Sequence, residues 1–169
     1  MRPFAAAMLL TLAATGSPAA VTAPRVRASS FDQLARPLPL PYDERADATA
    51  AVDQARARAR AAHKLLLIDL GGNWCLDCRI LAGTMELPDV APFVRRNYEV
   101  VTVDVGRFDR NLAIPARYGI TRRLEGVPSL LVIDPVSNRL LNPGRTAALS
   151  DARSMTPQAL ADWLAQWIR

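Results

Sequence analysis

The chain has 169 residues, half of them hydrophobic, and a net charge of +5. This length suits one domain with a sizeable core and is short for two. The basic residues are scattered arginines with few aromatic residues between them, which argues against a nucleic-acid-binding protein.

The first 20 residues have the pattern of an export signal. Arg2 precedes the apolar stretch FAAAMLLTLAAT at 4–15, and GSPAA then supplies small residues for cleavage. The stretch is shorter than the ~20 apolar residues of a spanning helix. We therefore expect residues 1–20 to be a signal peptide, with an uncleaved anchor as the alternative. The mature protein is expected to have no membrane span and to be exported, to a bacterial periplasm where disulfides persist.

Residues 21–45 are rich in proline and include the run PLPLP at 37–41. Such a run cannot lie inside a helix, so it predicts an extended arm that is poorly ordered in part. A folded domain is predicted over residues 46–169. It starts with a helix to about His63, because small apolar residues recur every three or four positions, and Asp43 or Asp47 can cap it.

The rest of the domain alternates between helix and strand patterns. KLLLIDL at 64–70 is a nearly continuous apolar run, which predicts a central strand buried on both faces. Further strands are predicted at 98–105, 129–135 and, shorter, 139–143. Further helices are predicted at 75–85, 89–96, 111–118 and from Pro157, with Thr156 as the cap. This order predicts an α/β fold with three layers, α/β/α, around a mixed central sheet.

Cys75 and Cys78 are the only cysteines, and they could be a structural staple, half of a metal site or a redox couple. A structural zinc site needs four ligands, and the chain has one histidine, His63. A staple across so short a loop constrains little of the unfolded chain. At the start of a helix, however, the two side chains lie on one side and the helix N-terminus favours the Cys75 thiolate. The spacing therefore favours a redox couple without a metal or other cofactor, in which Cys75 attacks and Cys78 resolves the mixed disulfide.

Three segments resemble the thioredoxin family in order and spacing. LLLIDLGGNWCLDC at 65–78 resembles the strand that leads into the family's Trp-Cys-x-x-Cys motif. LEGVPSLLVID at 124–134 resembles the cis-proline segment, and ARYGI at 116–120 the stretch before it. Over residues 46–169 the resemblance implies a thioredoxin-like fold and a thiol:disulfide oxidoreductase that acts on protein disulfides. GTMELPDV at 83–90 is similar to a segment in the periplasmic C-terminal domain of the membrane disulfide reductase. A reductant in an oxidising compartment would need a partner that supplies electrons, and a membrane electron donor is the expected one.

The family resemblance also implies roles for individual residues. Asp69, six positions before Cys75, corresponds to a buried acid that can take the proton of the resolving cysteine. Pro128 would be cis and face the cysteines, and the backbone of Val127 would pair with a substrate strand. Trp74 would form an apolar lip beside the site. The simpler alternatives are a buried acid bonded only to backbone, a strand-start proline and a core tryptophan.

The chain also departs from the family pattern. Gly71 stands where cytosolic thioredoxins usually have an aromatic residue, which predicts a more open or more mobile site. Thr102 stands where a family lysine would pair with the buried acid, so the acid lacks that cation. Arg122 and Arg123 are expected near the substrate face, where they would favour an acidic partner unless they are merely solvated.

The direction of electron transfer is predicted from Asp77, which lies between the cysteines. A nearby negative charge raises the pKa of a thiol, and a less stable thiolate makes the disulfide harder to reduce. The sequence therefore favours a reductant or electron relay. An oxidase or isomerase, and a non-catalytic thioredoxin-fold module that binds clients, are the alternatives.

Overall fold

The computed structural model describes residues 21–168, so the predicted signal peptide at 1–20 lies outside the described residues. The helices are α1 (Ala48–Ala61), α2 (Leu76–Met85), α3 (Ala91–Asn97), α4 (Ala113–Ala116) and α5 (Pro157–Ala165). The strands are β1 (Leu65–Gly71), β2 (Tyr98–Asp104), β3 (Ser129–Asp134) and β4 (Arg139–Leu140). Short 3₁₀ turns lie at Phe31–Gln33 and Ala152–Ser154.

The four strands form one mixed sheet in the order β2–β1–β3–β4. β1 runs parallel to β2 and antiparallel to β3, and β4 is antiparallel to β3. The parallel pair needs a crossover connection, which α2 and α3 supply. With a neighbour on each side and helices on both faces, β1 is buried from Leu66 onward, as its apolar run predicted.

Side chains of the central strands alternate between two cores. Leu67 of β1, with Leu130 and Val132 of β3, packs with α2, α3 and α5. Leu66 and Ile68 of β1 pack on the opposite face with α1. Successive side chains of a strand point to opposite faces of the sheet. Because helices cover both faces, the domain has three layers. The predicted α/β class with a mixed central sheet is confirmed.

The proline-rich arm lies against the domain. Leu34, Leu38 and Tyr42 are buried, and Arg79 of α2 donates hydrogen bonds to the backbone carbonyls of Leu38 and Pro39, at 2.9 and 3.1 Å. The sequence predicted an arm that is poorly ordered in part; its burial instead shows a segment fixed to the domain. Prolines keep this segment from forming a helix, and donors from the domain satisfy the carbonyls that a helix would have bonded.

Local sequence signals explain several helix ends. The Asp47 side chain accepts a hydrogen bond from the backbone N–H of Ala50 at 3.0 Å and caps α1. Thr156 caps α5 in the same way through the N–H of Ala159, at 3.1 Å. α4 is shorter than the predicted segment 111–118, and Asn111 before it has a positive φ of 54°. Within residues 21–168, no helix combines the length and apolarity needed to cross a membrane, and no cluster of three or more His, Cys, Asp or Glu side chains could hold a metal ion.

Candidate active site

Cys75 and Cys78 form a disulfide at the N-terminus of α2, with Cα atoms 5.3 Å apart. Cys75 is the N-cap residue, and its Sγ accepts a hydrogen bond from the backbone N–H of Cys78 at 3.1 Å. Because the helix N-terminus carries partial positive charge, this position stabilises a Cys75 thiolate when the pair is reduced. Cys75 is 5% exposed and Cys78 is fully buried, so Cys75 is the more accessible of the two.

The loop before β3 brings Val127 and Pro128 to the cysteine pair. The peptide bond between these two residues is cis. The Val127 carbonyl oxygen lies 3.4 Å from Cys75 Sγ. The loop is held there because β3 pairs with β1, whose C-terminal end leads into the cysteine motif. An extended substrate segment beside Cys75 would therefore lie next to the backbone of Val127, which suits strand-like pairing.

Trp74 forms an exposed lip beside Cys75. The residue is 42% exposed, so it does not belong to the core, and its Nε1 donates a hydrogen bond to the carbonyl of Gly106 at 2.8 Å. Phe108 packs edge-on against the ring at a centroid distance of 6.2 Å, and the guanidinium carbon of Arg107 lies 4.3 Å from the ring centre. Sequence reasoning missed Phe108 and Arg107, which lie in the loop after β2.

Of the two arginines expected near the substrate face, the structure places Arg123 on this lip. Its guanidinium carbon lies 4.6 Å from the ring centre of Phe108. Arg122 lines a cleft that Arg123 and Glu125 also line. Arg107 and Arg123 therefore present two cations over the two aromatic rings next to Cys75, in the geometry of cation–π pairs.

Asp69 is fully buried in the middle of β1. Burial raises the pKa of its carboxyl to about 7, although a hydrogen bond from the Tyr42 hydroxyl opposes this shift. That bond reaches Oδ1 at 2.9 Å, while Oδ2 has no hydrogen-bond partner among residues 21–168. A carboxyl whose pKa is near neutrality can both take and release a proton at physiological pH.

Tyr42 of the arm fills the space above Gly71. A Cβ atom built on Gly71 would lie 2.3 Å from Tyr42 Oη and 2.8 Å from Cys78 Sγ. The hydroxyl and the sulfur therefore border the same small volume, which only glycine leaves free. The prediction that Gly71 makes the site more open is wrong, because the arm closes it. Sequence reasoning missed Tyr42; the available signal was an unusual glycine close to an acid that lacked its usual lysine.

Asp77 lies in an ion pair that the sequence did not reveal. It is 4% exposed and accepts hydrogen bonds from the backbone N–H of Arg153 at 2.8 Å and from its guanidinium Nε at 3.0 Å. Burial alone would raise the pKa of this carboxyl, but the bonds from Arg153 outweigh burial and lower it. Asp77 is therefore ionised with its charge compensated. Its predicted effect on the Cys75 thiol, which assumed an isolated negative charge, loses its basis.

A thioredoxin-like sheet with a Cys-x-x-Cys pair at a helix N-terminus, facing a cis-proline loop, defines the class of thiol:disulfide oxidoreductases. A family model described as thioredoxin-like matches residues 47–135. The chain belongs to this thioredoxin-like family.

One solved structure supports the same family assignment. The disulphide isomerase from Xylella fastidiosa Temecula1 is similar at 36% identity and a TM-score of 0.68, over 76% of this chain and 96% of that one. A Pseudomonas aeruginosa protein of unknown function matches at 22% identity and TM-score 0.39, over 71% of this chain and 83% of that one. An HIV epitope-scaffold matches at 23% identity and a TM-score of 0.39, over 71% of this chain and 84% of that one. The last two likenesses support no inference about this chain. No curated protein matches the sequence. The protein is a thiol:disulfide oxidoreductase.

Proposed function

We propose that this protein exchanges disulfides with protein substrates through Cys75 and Cys78. The Cys75 thiolate attacks a substrate disulfide, forms a mixed disulfide and releases one substrate thiolate. Cys78 then attacks Cys75 Sγ, which closes the Cys75–Cys78 disulfide and releases the second substrate thiolate. Two electrons pass from the dithiol to the substrate, and the reverse sequence oxidises it. The position of Cys75 Sγ, at a helix N-terminus and 3.4 Å from the Val127 carbonyl oxygen, carries this proposal.

Asp69 is proposed to accept the proton of Cys78 when that sulfur attacks. The support is its complete burial, its pKa of about 7, an Oδ2 atom without a hydrogen-bond partner among residues 21–168, and its bond to the Tyr42 hydroxyl, which borders the same volume as the Cys78 sulfur. A base of this pKa is half ionised at neutral pH, so it can take a thiol proton without an added cation. Trp74, Val127 and Pro128 are proposed to hold the substrate segment, through the ring and the backbone of the loop.

For the direction of transfer, we propose disulfide isomerisation rather than net reduction. The basis for a reductant was the charge of Asp77, which Arg153 compensates. The helix N-terminus and the N–H of Cys78 both stabilise a Cys75 thiolate. Arg107 adds a positive charge over the ring of the neighbouring Trp74. A stabilised thiolate makes the disulfide easier to reduce. The similarity to a protein named as a disulphide isomerase supports the same direction.

An isomerase must keep its cysteines reduced in order to attack wrong disulfides. We propose that the protein is exported, as residues 1–20 suggest, and that a membrane electron donor maintains the dithiol in that oxidising compartment. The two arginines on the lip, Arg107 and Arg123, favour clients with acidic segments.

The exchange reaction is tested by trapping. In a Cys78→Ala variant the mixed disulfide cannot be resolved. Cys75 should therefore accumulate covalent adducts with a scrambled protein substrate, one that contains non-native disulfides. Cys75→Ala, the matched control, should accumulate none. If neither variant traps a substrate and the wild type shows no turnover, the client-binding module is the correct function.

The direction is tested by the reduction potential of the pair, from equilibration in glutathione buffers and thiol trapping. A potential of about −180 mV, like that of protein disulfide isomerase, supports isomerisation, whereas one of about −120 mV, like that of a strong oxidase, would contradict it in favour of oxidation. A potential of about −270 mV, like that of thioredoxin, would restore the reductant predicted from the sequence.

A further inference from the structure

The arm holds Tyr42 in the redox site through bonds to its backbone. The Asn73 side chain, two residues before Cys75, clamps Tyr42 on both sides: its Oδ1 accepts from the Tyr42 N–H at 3.1 Å and its Nδ2 donates to the Tyr42 carbonyl at 2.8 Å. The loop that leads into the cysteine motif and the arm are thereby joined. The position of the Tyr42 ring is fixed by the same segment that positions Cys75.

A second anchor comes from the strand beside the buried acid. Thr102 is the register partner of Asp69 in the β1–β2 pair. Its hydroxyl donates a hydrogen bond to the carbonyl of Pro41 at 2.8 Å, one residue before Tyr42. Thr102 stands where the family resemblance would place a lysine. It therefore fixes the arm whose Tyr42 hydroxyl donates to Asp69. The hydrogen-bond partner of Asp69 is thus Tyr42 of the arm rather than a residue of β2.

We propose that Tyr42 is a positioning residue for the redox reaction: its hydroxyl occupies Asp69 Oδ1 and leaves Oδ2 as the atom that takes the Cys78 proton. This inference rests on the proton role of Asp69 in the proposed function. In the resolving step the Cys78 S–H bond breaks and an O–H bond forms on Oδ2. The new sulfur–sulfur bond joins Cys78 to Cys75 while the mixed disulfide breaks, and the substrate leaves as a thiolate. Tyr42 keeps its own proton, because burial and the neighbouring Asp69 raise the pKa of its hydroxyl.

Other charged groups near this pair are few and compensated. Asp104, at the end of β2, is the other acid that raises the Tyr42 pKa, and it pairs with Arg110 at 3.5 Å. Arg110 also donates to the carbonyl of Glu44 at 3.0 Å, so it closes the arm on the far side of Tyr42. Arg110 therefore compensates the charge of Asp104 on that side of Tyr42.

The test is Tyr42→Phe, which keeps the ring and removes the bond to Asp69. Loss of a hydrogen bond to the carboxylate should raise the Asp69 pKa by about one unit. Carboxyl ¹³C NMR of the disulfide form measures this pKa without turnover. In single-turnover exchange with a protein disulfide, the acid limb of the pH–rate profile should shift to higher pH by the same one unit or so. The rate should fall about fivefold at pH 7 and be unchanged well above the new pKa.

Tyr98→Phe is the matched control, because Tyr98 is also buried and donates its hydroxyl to a backbone carbonyl, that of Leu164, at 2.6 Å. It loses a buried hydrogen bond but should leave the profile and the Asp69 pKa in place. If Tyr42→Phe does not fold, Thr102→Val serves instead, because it frees the arm at Pro41. It should raise the Asp69 pKa in the same direction but by less than one unit.

Asp69→Asn distinguishes failure of the proton role of Asp69 from failure of the positioning role of Tyr42. If this variant loses the acid limb while Tyr42→Phe leaves the Asp69 pKa unchanged, Tyr42 is only a packing residue and the proton role of Asp69 stands. If Asp69→Asn keeps the acid limb, the proton role fails and the positioning role of Tyr42 fails with it. Cys75 trapping in the Cys78→Ala background reports on disulfide exchange itself in either case.

Discussion

Two buried carboxylates flank the cysteine pair, and they behave in opposite ways. Asp69, on the arm side, accepts a hydrogen bond from the neutral Tyr42 hydroxyl, and burial raises its pKa to about 7. Asp77, on the side of the 3₁₀ turn at Ala152–Ser154, accepts bonds from Arg153, and its pKa is lowered despite burial. The partner therefore decides the charge state: a hydroxyl leaves a buried acid able to carry a proton, and a guanidinium fixes it as an anion.

The two carboxylates also connect the site to different parts of the chain. Asp69 and Tyr42 join β1 to the N-terminal arm, 27 residues apart in sequence. Asp77 and Arg153 join α2 to the segment before α5, across 76 residues. The first pair links a titratable group to the Tyr42 hydroxyl, which borders the same volume as the Cys78 sulfur. The second ties down the helix that has Cys75 as its N-cap. Substitutions at the two sides should therefore separate chemistry from architecture.

The largest expected effect is the pH dependence of stability that Asp69 imposes. Its folded pKa is raised above the unfolded value of about 3.9, so the folded state binds more protons and stability falls as pH rises from about 4 to about 7. The shift corresponds to at most about 4 kcal/mol in the free energy of unfolding. Asp69→Asn should remove this slope, which urea unfolding at a series of pH values measures. Identical slopes in the two proteins would show that Asp69 is not a titrating acid in this range.

The next effect concerns the volume that Tyr42 shares with Cys78. Gly71→Ala places a Cβ atom 2.3 Å from Tyr42 Oη and should expel the ring, at a cost of about 2–3 kcal/mol. Gly83→Ala is the matched control, because its Cβ would meet Leu34 at 3.4 Å, an ordinary contact, within a helix. It should stabilise the protein by up to about 1 kcal/mol. Equal thermal melts for the two variants would rule out the tight packing of Tyr42 on Gly71.

The sequence predicted the features that local patterns encode. The apolar run of β1, the cysteine pair at a helix start and the Thr156 cap each lie within a few residues of the chain, so spacing alone indicates them. The partners of the two carboxylates could not be predicted in this way. Tyr42 and Arg153 reach the site only after the chain has folded, and nothing in their local sequence marks them as partners of Asp69 and Asp77. The predicted reductant direction treated Asp77 as an isolated charge and therefore loses its basis, while the direction of transfer itself stays a prediction.

A smaller effect on the free energy of unfolding is expected at Asp77, the other buried carboxylate. Asp77→Asn removes the charged partner of Arg153 and should cost about 2 kcal/mol at neutral pH. Because the folded pKa is lowered, this contribution is present above the unfolded pKa of about 3.9 and should disappear as pH falls through the folded value. The slope is thus opposite in sign to that of Asp69. Asp53→Asn, which breaks the exposed pair with Arg117, is the control and should change little. A loss as small as that of the control would mean that Asp77 does not anchor α2.

The smallest effect tests whether the arm is part of the Asp69 side of the site. Thr102→Val keeps the β-branched shape but removes the hydrogen bond to Pro41, which should cost about 1 kcal/mol. The loss should be local: hydrogen exchange at the Tyr42 amide, which Asn73 protects, should accelerate while the amides of β1 keep their protection.

Thr84→Val is the control for that experiment, because the Thr84 hydroxyl also donates to a backbone carbonyl, that of Ile80 at 2.8 Å, but within α2. It should leave the exchange of the Tyr42 amide unchanged. If Thr102→Val accelerates exchange throughout β1 as well, the arm and the sheet open as one unit. If only the arm responds, Tyr42 can leave Asp69 without unfolding the domain, and the pKa of the buried acid then depends on whether the arm is docked.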